Sequence, residues 1–489
     1  MFRRIEKKNI ERIKNILIVV LFLTTVLLLS FFWQDGVSLR DLTPIIMSEE
    51  SSYVPDAQEL IRPRYILFNY GADIYTVLGA GEQYGDGTIY DEVRSIAAEY
   101  IGSAGSSEQI EASQYQEVMS YASVVMRFDY NIPLVEYLEQ NDIESPIDLS
   151  DIPEMTSVGI SSASSENLFI ANRETNTYYR IVINDEAVIS GLSARVRELI
   201  DEEENSDYVP YYNMSDIVGV ENDALMPLYM SSSAVSVSGT KEFSISDEEE
   251  LSRTASGFFS SGLDFVRKIT ENKGSVLYMY GTSQSLIINE DGRLEYSENI
   301  ENYQYGSADF YDSLDTAIEY VANHGGWDNM YRNGYHPYLK EAFIITSGEN
   351  EGYHFEFGLE YNGVEVEYTD GTILSADVYG SQITSYKRDI LILPESDEET
   401  AEKSEWYAMA PIDVLTNNYE KICSIVSTGS FEEMTAAVRS IKFCCMRDSE
   451  NDPLKIRPAW LIIMNDGHQL WFSAEDGKLL YHQTAAEVN

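Results

Sequence analysis

The chain has 489 residues, 44% hydrophobic and 24% charged, with a net charge of −49. So large an acidic excess repels nucleic acid and anionic lipid, and it tolerates a cationic partner or divalent ions. The only cysteines, Cys423, Cys444 and Cys445, exclude a disulfide framework for so long a chain; a single bridge from Cys423 to Cys444 or Cys445 and three free thiols both stay open.

Residues 1–15 are a basic end carrying Arg3, Arg4, Lys7, Lys8, Arg12 and Lys14. Residues 16–33 follow without a charge, "ILIVVLFLTTVLLLSFFW". At about 1.5 Å per residue they make a helix of about 27 Å, close to a hydrocarbon core of about 30 Å. A cleaved leader would end in small residues, whereas this run ends in Phe31-Phe32-Trp33, rings suited to the membrane interface. The run therefore reads as an uncleaved signal anchor, a single-pass helix in the cell membrane. Positive charge stays inside, so the N-terminus is cytoplasmic and the bulk extracytoplasmic. That bulk holds 27 cations against 80 acidic residues, a net charge of −53.

Residues 34–58 are polar and patternless, and read as a stalk. An α+β domain is expected over 59–205. "RPRYILFNYGADIYTVL" reads as a strand pair, and Val93, Ile96 and Ile101 place one apolar face on a helix. "ASVVMRFDYNIPLVEYL" reads as a buried strand, a proline turn and a short helix, and "NTYYRIVIN" as another strand. A middle α+β segment, 206–305, has Ser246 and Glu249 spaced as a capping box, and then apolar runs in "GSVLYMYGTSQSLIINEDGRLEY" broken by turn residues.

Two units with one plan complete the chain. Over 306–394, Leu314, Ile318 and Val321 share a helix face that Gly325-Gly326 stops. Strands "AFIIT", "YHFEFGLEY", "VEVEY" and "ILSADVYGSQITSYKRDI" follow, with Asn362-Gly363 and Asp370-Gly371 as hairpin turns. After a charged linker, 395–408, the unit 409–489 opens with Pro411 at a first helical position. Ile412, Leu415, Tyr419, Ile422 and Val426 form its face, and Gly429 ends it. Four strands then meet at Asp466-Gly467 and Asp476-Gly477. The expected class is α+β: one N-terminal transmembrane helix, then several extracytoplasmic domains with antiparallel sheets, the last two being helix-plus-β-meander units.

Chemistry is sparse. The sequence has no HExxH, GxSxG, P-loop or calcium-loop pattern, and its five histidines are scattered without metal spacing. Ser238-Gly239-Thr240-Lys241 fits S-x-x-K but lacks the S-D-N and K-T-G partners that would supply a base and an oxyanion site. With 82 acidic residues, no glycosidase carboxylate pair can be nominated. No catalytic residue, cofactor or metal is expected.

Three stretches carry a resemblance. They are the basic end and apolar helix leading into "RPRYILFNYGADIYTVL", then "GFFSSGLDFVRKITENKGSVLYMYGTSQSLIINEDGRLEY", then "FEFGLEYNGVEVEYTDGTILSADVYGSQITSYKR". Together they resemble the YycH family, extracytoplasmic regulators of the WalK (YycG) sensor histidine kinase in Gram-positive bacteria. The resemblance implies a non-enzymatic regulator that associates with a YycI-like protein and with the kinase through its ectodomain and its transmembrane helix. Thr24, Thr25 and Ser30 are the polar residues of the apolar run, and hydroxyl side chains favour helix–helix contact in lipid. The face carrying Thr24 and Thr25 is thus the expected partner contact. The competing readings are a wall- or ligand-binding module without a kinase partner, and a wall hydrolase or transferase.

Overall fold

In the computed structural model, residues 53–484 are described, apart from 72, 85–86, 205–207, 261, 272–273, 301–307, 395–405 and 450. The apolar run 16–33, most of the stalk and most of the charged linker lie outside these residues. No helix among the described residues is long and apolar enough to cross a membrane.

The first sheet has nine strands. Strand Tyr65–Asn69 pairs antiparallel with Tyr75–Leu78 on one side and with Ser123–Pro133 on the other. The ladder continues through Glu154–Ser161, Asn167–Asn172 and Thr177–Ile183 to Ala104–Ile110 at the edge. Helix Ile89–Gly102 covers it. Thr88 and Asp91 close a reciprocal capping box at its start, and Val93, Ile96 and Ile101 are buried as the periodicity predicts. Arg195 of the helix Glu186–Glu204 bridges Glu92 and Glu99 at 2.7 and 2.9 Å.

This sheet runs beyond residue 205. Strands Pro210–Asn213 and Leu225–Pro227 add to its Tyr75–Leu78 edge. Their hairpin also reaches the C-terminal core: Met214, Ala224 and Met226 pack with Val414, Ile422 and Trp460. Asn222 Nδ2 donates to the carbonyls of Thr435 and Val438, each at 2.8 Å.

The second sheet has fourteen strands and passes through both C-terminal units. Strands Arg267–Thr270, Val276–Tyr280, Gln284–Ile288 and Leu294–Glu298 form a meander. It continues to Gln382–Arg388, Leu374–Tyr379 and Asn350–Tyr361. Helix Phe310–Asn323 lies over this part, with Phe310, Leu314, Ala317, Ile318 and Val321 buried. Its core is aromatic: Phe310 meets Phe355 edge to face at 5.8 Å.

The join between the units is a parallel pairing. Asn362 and Gly363, with φ of 52° and 74°, turn the chain into Val364–Tyr368. Both this strand and Leu374–Tyr379 pair with Asn350–Tyr361, at Leu359–Tyr361 and Tyr353–Phe357 respectively. Asp370-Gly371 therefore turns the chain between two neighbours of one strand and closes no hairpin. Strand Val364–Tyr368 then runs parallel to Val438–Arg447, in register Val366↔Cys445 and Tyr368↔Arg447. The remaining strands, Lys455–Met464, Gln469–Ser473 and Leu479–Gln483, complete the meander expected for the last unit.

Three local expectations are corrected. The helix Glu248–Phe258 is capped by Asp247, whose carboxylate accepts from the N–H groups of Glu249 and Glu250, so the cap lies one residue after Ser246. Helix Pro411–Val426 ends at Ser427, at φ 58°, before Gly429 is reached. Tyr419 is exposed, and Val414 takes the buried place on that helix beside Leu415 and Ile422. All the described residues fall within one compact unit.

Candidate functional site

The parallel join brings a dense cluster of charged side chains together among the described residues. Glu365 and Glu367 are two apart on one strand and so share a face. Lys442, on the neighbouring strand, bonds Glu365 and lies 2.5 Å from Glu367. Lys340 sits at a bulge, where the register jumps from Leu339 to Glu341. The extra residue re-aims its ammonium, which lies 3.2 Å from Glu356 and 3.1 Å from Glu367. Tyr338 donates to Glu365 at 3.1 Å, and its ring lies 4.8 Å from the guanidinium of Arg62, which pairs with Glu360 at 2.9 Å.

Burial alone would push both carboxyls up. Lys340 and Lys442 outweigh it at Glu367 and hold that group well below the usual carboxylate range; Lys442 and Arg64 lower Glu365. The network sets three cations, Lys340, Lys442 and Arg62, against four carboxylates, Glu356, Glu360, Glu365 and Glu367. It locks strands from different units together and offers no group to a substrate.

Two more ion pairs are nearly excluded from water. Arg447 lies 2.8 Å from Asp389, and its guanidinium covers the Tyr368 ring at 4.5 Å. Arg388 Nε lies 3.1 Å from Glu242 Oε2, near enough to pair but not aligned as a hydrogen bond. Arg388 also donates to the His324 carbonyl at 2.7 Å.

The residues that could carry chemistry are engaged elsewhere. Ser238 belongs to a short strand paired with Lys455–Met464, while Thr240 and Lys241 pair with Leu391–Ile392. Lys241 Nζ donates to the Glu290 carbonyl at 2.6 Å. The S-x-x-K stretch thus adds one short strand to the large sheet and forms a separate two-stranded ladder with Leu391–Ile392. His324 stacks between Phe258 and Tyr320, each at 4.1 Å, and its Nδ1 meets the Tyr320 carbonyl. His354 contacts Asp377 at 2.5 Å, and His468 contacts His482 at 2.9 Å. No three His, Cys, Asp or Glu side chains among the described residues are arranged to hold a metal ion. All three cysteines are free; burial pushes the Cys445 thiol up to about 12 and the Cys444 thiol well above its ordinary value. Thr24 and Thr25 lie outside the described residues.

What the surface offers is apolar contact area. Tyr229 and Tyr407, both exposed, face each other edge to face at 6.3 Å beside exposed Leu228. Phe343 and Ile344 are exposed on the strand Tyr335–Ser347, which pairs with Asn350–Tyr361 along one side only. The sequence signals this stretch as a strand, but its place at a sheet edge follows from pairings with residues far along the chain.

No family model and no curated protein matches the chain. Among solved structures it is similar to the crystal structure of YycH from Bacillus subtilis, with a TM-score of 0.52 and 12% sequence identity, over 88% of this chain and 97% of that one. A nine-stranded sheet and a fourteen-stranded sheet whose two units join through a parallel pairing, with helices packed against them, thus make up a YycH-like fold.

Proposed function

We propose that this chain is a non-enzymatic, membrane-anchored regulator of a WalK-like sensor histidine kinase, acting beside a YycI-like protein. The observation that carries the reading is the fold likeness to YycH over nearly the whole of both chains. The apolar run 16–33 and its basic flank support an anchor with the N-terminus in the cytoplasm. A regulator needs partner surfaces rather than a cleft with converging polar groups, and the exposed Tyr229–Tyr407 and Phe343–Ile344 areas are of that kind. Such a protein changes kinase output by binding the two signalling states of the kinase unequally.

The test is a membrane pull-down of the full-length chain from its native cell, beside a chain in which residues 16–33 are replaced by an unrelated transmembrane helix. Recovery of a sensor kinase with the native helix, weakened by the exchange, supports contact through the bilayer. Equal recovery moves the contact to the ectodomain. Absence of any kinase in both overturns the reading in favour of a wall-binding module, which glycan binding would then measure.

A further inference from the structure

The strand Tyr335–Ser347 changes character along its length. Its first half is buried, with Tyr335, Tyr338 and Leu339 almost inaccessible. Beyond the bulge at Lys340, Phe343 is 45% and Ile344 51% exposed, and Thr346 and Ser347 are also exposed. Among the described residues its ladder partner is Asn350–Tyr361 alone, so the far side of Phe343–Ser347 carries no ladder bonds, although the strand also passes close to Ser123–Pro133.

The turn at its end decides which backbone groups are free. Ser347 pairs with Asn350 across the two-residue loop Gly348-Glu349, with Gly348 at φ 65°. A two-residue loop with glycine first closes on a pair that exchanges both hydrogen bonds. Alternation then gives Ile345 and Phe343 the bonds to the neighbouring strand, and turns the N–H and C=O of Ile344 and Thr346 outward. Side chains are apolar on both faces. Ile344 lies across from Tyr353 on the helix-covered face, while Phe343 stacks on His354 at 4.8 Å on the other. A strand added here would bury side chains above and below it.

The electrostatic frame has one sign. Glu341 lies at one end of the free stretch and Glu349 at the other, both exposed. The nearby cation, Lys340, is already matched by Glu356 and Glu367. Two copies of this edge would bring these carboxylates, and chains of net charge −49, together.

We propose that Phe343–Ser347 is a strand-addition site that takes an extended segment of a protein partner, apolar in its middle and bearing Lys or Arg at its ends. Main-chain bonds to Ile344 and Thr346 supply the pairing, and Glu341 and Glu349 select the charge. The proposal rests on the regulator reading only for the partner's identity.

The test uses the full-length chain in detergent and two probe peptides, each an alternating Val/Thr core with either Lys or Glu at both ends. The Lys-ended peptide should bind at least tenfold tighter than the Glu-ended one and slow hydrogen exchange in the segment 342–347. Ile344→Pro removes an outward N–H that the fold does not use, and should weaken binding at least tenfold with an unchanged melting curve. Ile344→Asp keeps the N–H but places a charge on the edge, and should weaken it similarly, which keeps the test open if the proline variant fails to fold. Equal binding to wild type and to both variants, no slowing of exchange, or a dimer formed through this edge in sedimentation would each overturn the proposal. Kinase recovered by the full-length chain while both peptides fail to bind removes this edge and leaves the regulator reading intact.

Discussion

Arg447 and Asp389 face each other at 2.8 Å with almost no access to water, on chain segments that belong to the two different C-terminal units. The contact sits at the end of the parallel pairing, where Tyr368 lies opposite Arg447 and its hydroxyl donates to the Asp389 carbonyl at 2.7 Å. Arg447 further donates to the Pro453 carbonyl. One guanidinium therefore holds a carboxylate, a ring and a loop at the seam.

Arg447→Met should cost about 3–5 kcal/mol, because it leaves Asp389 buried without a counter-charge. Arg447→Met combined with Asp389→Asn should cost clearly less than the two single changes added together. Urea unfolding of the four proteins gives the coupling, expected at about 1–3 kcal/mol. Strict additivity would mean that the pair does not hold the seam.

Acid should weaken the protein through Glu365 and Glu367. Their folded-state pKa values are depressed by Lys442, Lys340 and Arg64 acting against burial. A depressed carboxylate contributes stability above its unfolded value, here 4.5, and loses it as pH falls toward the folded value. Glu367→Gln lacks this contribution. The stability gap between wild type and Glu367→Gln should thus be widest near neutral pH, begin to shrink below about pH 5 and go on shrinking as the pH falls toward the depressed folded-state value. Glu242 and Asp389, both raised chiefly by burial, run the other way and temper the loss in both proteins. A gap that stays constant with pH would sink the assignment.

Around Ser238 and Lys241 the glycine should matter most. A Cβ at Gly239 would lie 2.5 Å from the Ile392 carbonyl oxygen and 2.7 Å from Leu391 Cγ. Gly239→Ala should destabilise by about 1–3 kcal/mol through overpacking, whereas Ser238→Ala should stay within about 0.5 kcal/mol. A fluorescent β-lactam should leave the wild-type protein unlabelled. Covalent labelling lost in Ser238→Ala would reinstate an acyl-transfer site.

The thiols should react in two classes. Cys423 is partly exposed, while Cys444 and Cys445 are buried with raised pKa values. A disulfide reagent should titrate one thiol quickly in the native protein and all three in denaturant. Fewer than three after denaturation, without reductant, would mean that a bridge forms.

If the apolar run contacts a partner helix through Thr24 and Thr25, as proposed, replacing both by Leu should change kinase output at equal membrane level. Unchanged output at normal abundance would remove that face from the contact.

Much of the local structure is legible in the residues themselves. Leu314, Ile318 and Val321 lie at helical spacing, and Asn362-Gly363 suits a turn with two positive φ angles, because periodicity and turn sterics act between neighbours. The same local signals fail where two residues compete for one role. Ser246 and Asp247 can both cap a helix, and it is Asp247 whose carboxylate accepts from the first-turn N–H groups. At the helix Pro411–Val426, Ser427 takes the left-handed conformation two residues before the glycine that seemed made for it. Tyr419 keeps helical spacing yet stays exposed, its ring touching the partly buried Phe431 at 6.3 Å at the margin of the C-terminal core.

Other features exist only in three dimensions. The alternation in "VEVEY" shows that Glu365 and Glu367 share a strand face, but not that Lys442 and Lys340 would meet them there. The parallel pairing of Val364–Tyr368 with Val438–Arg447 joins residues about 79 apart, and only the packing of both units selects it. The same holds for the hairpin Pro210–Pro227, which stays paired in the first sheet yet seats Met214 and Met226 in another core. By itself the sequence determined an acidic, α+β chain behind an apolar N-terminal run, because composition, period and turn chemistry need no distant partner. Which strand became an edge, and which charges were buried in pairs, was decided by tertiary structure, since both depend on what long-range pairing brings alongside.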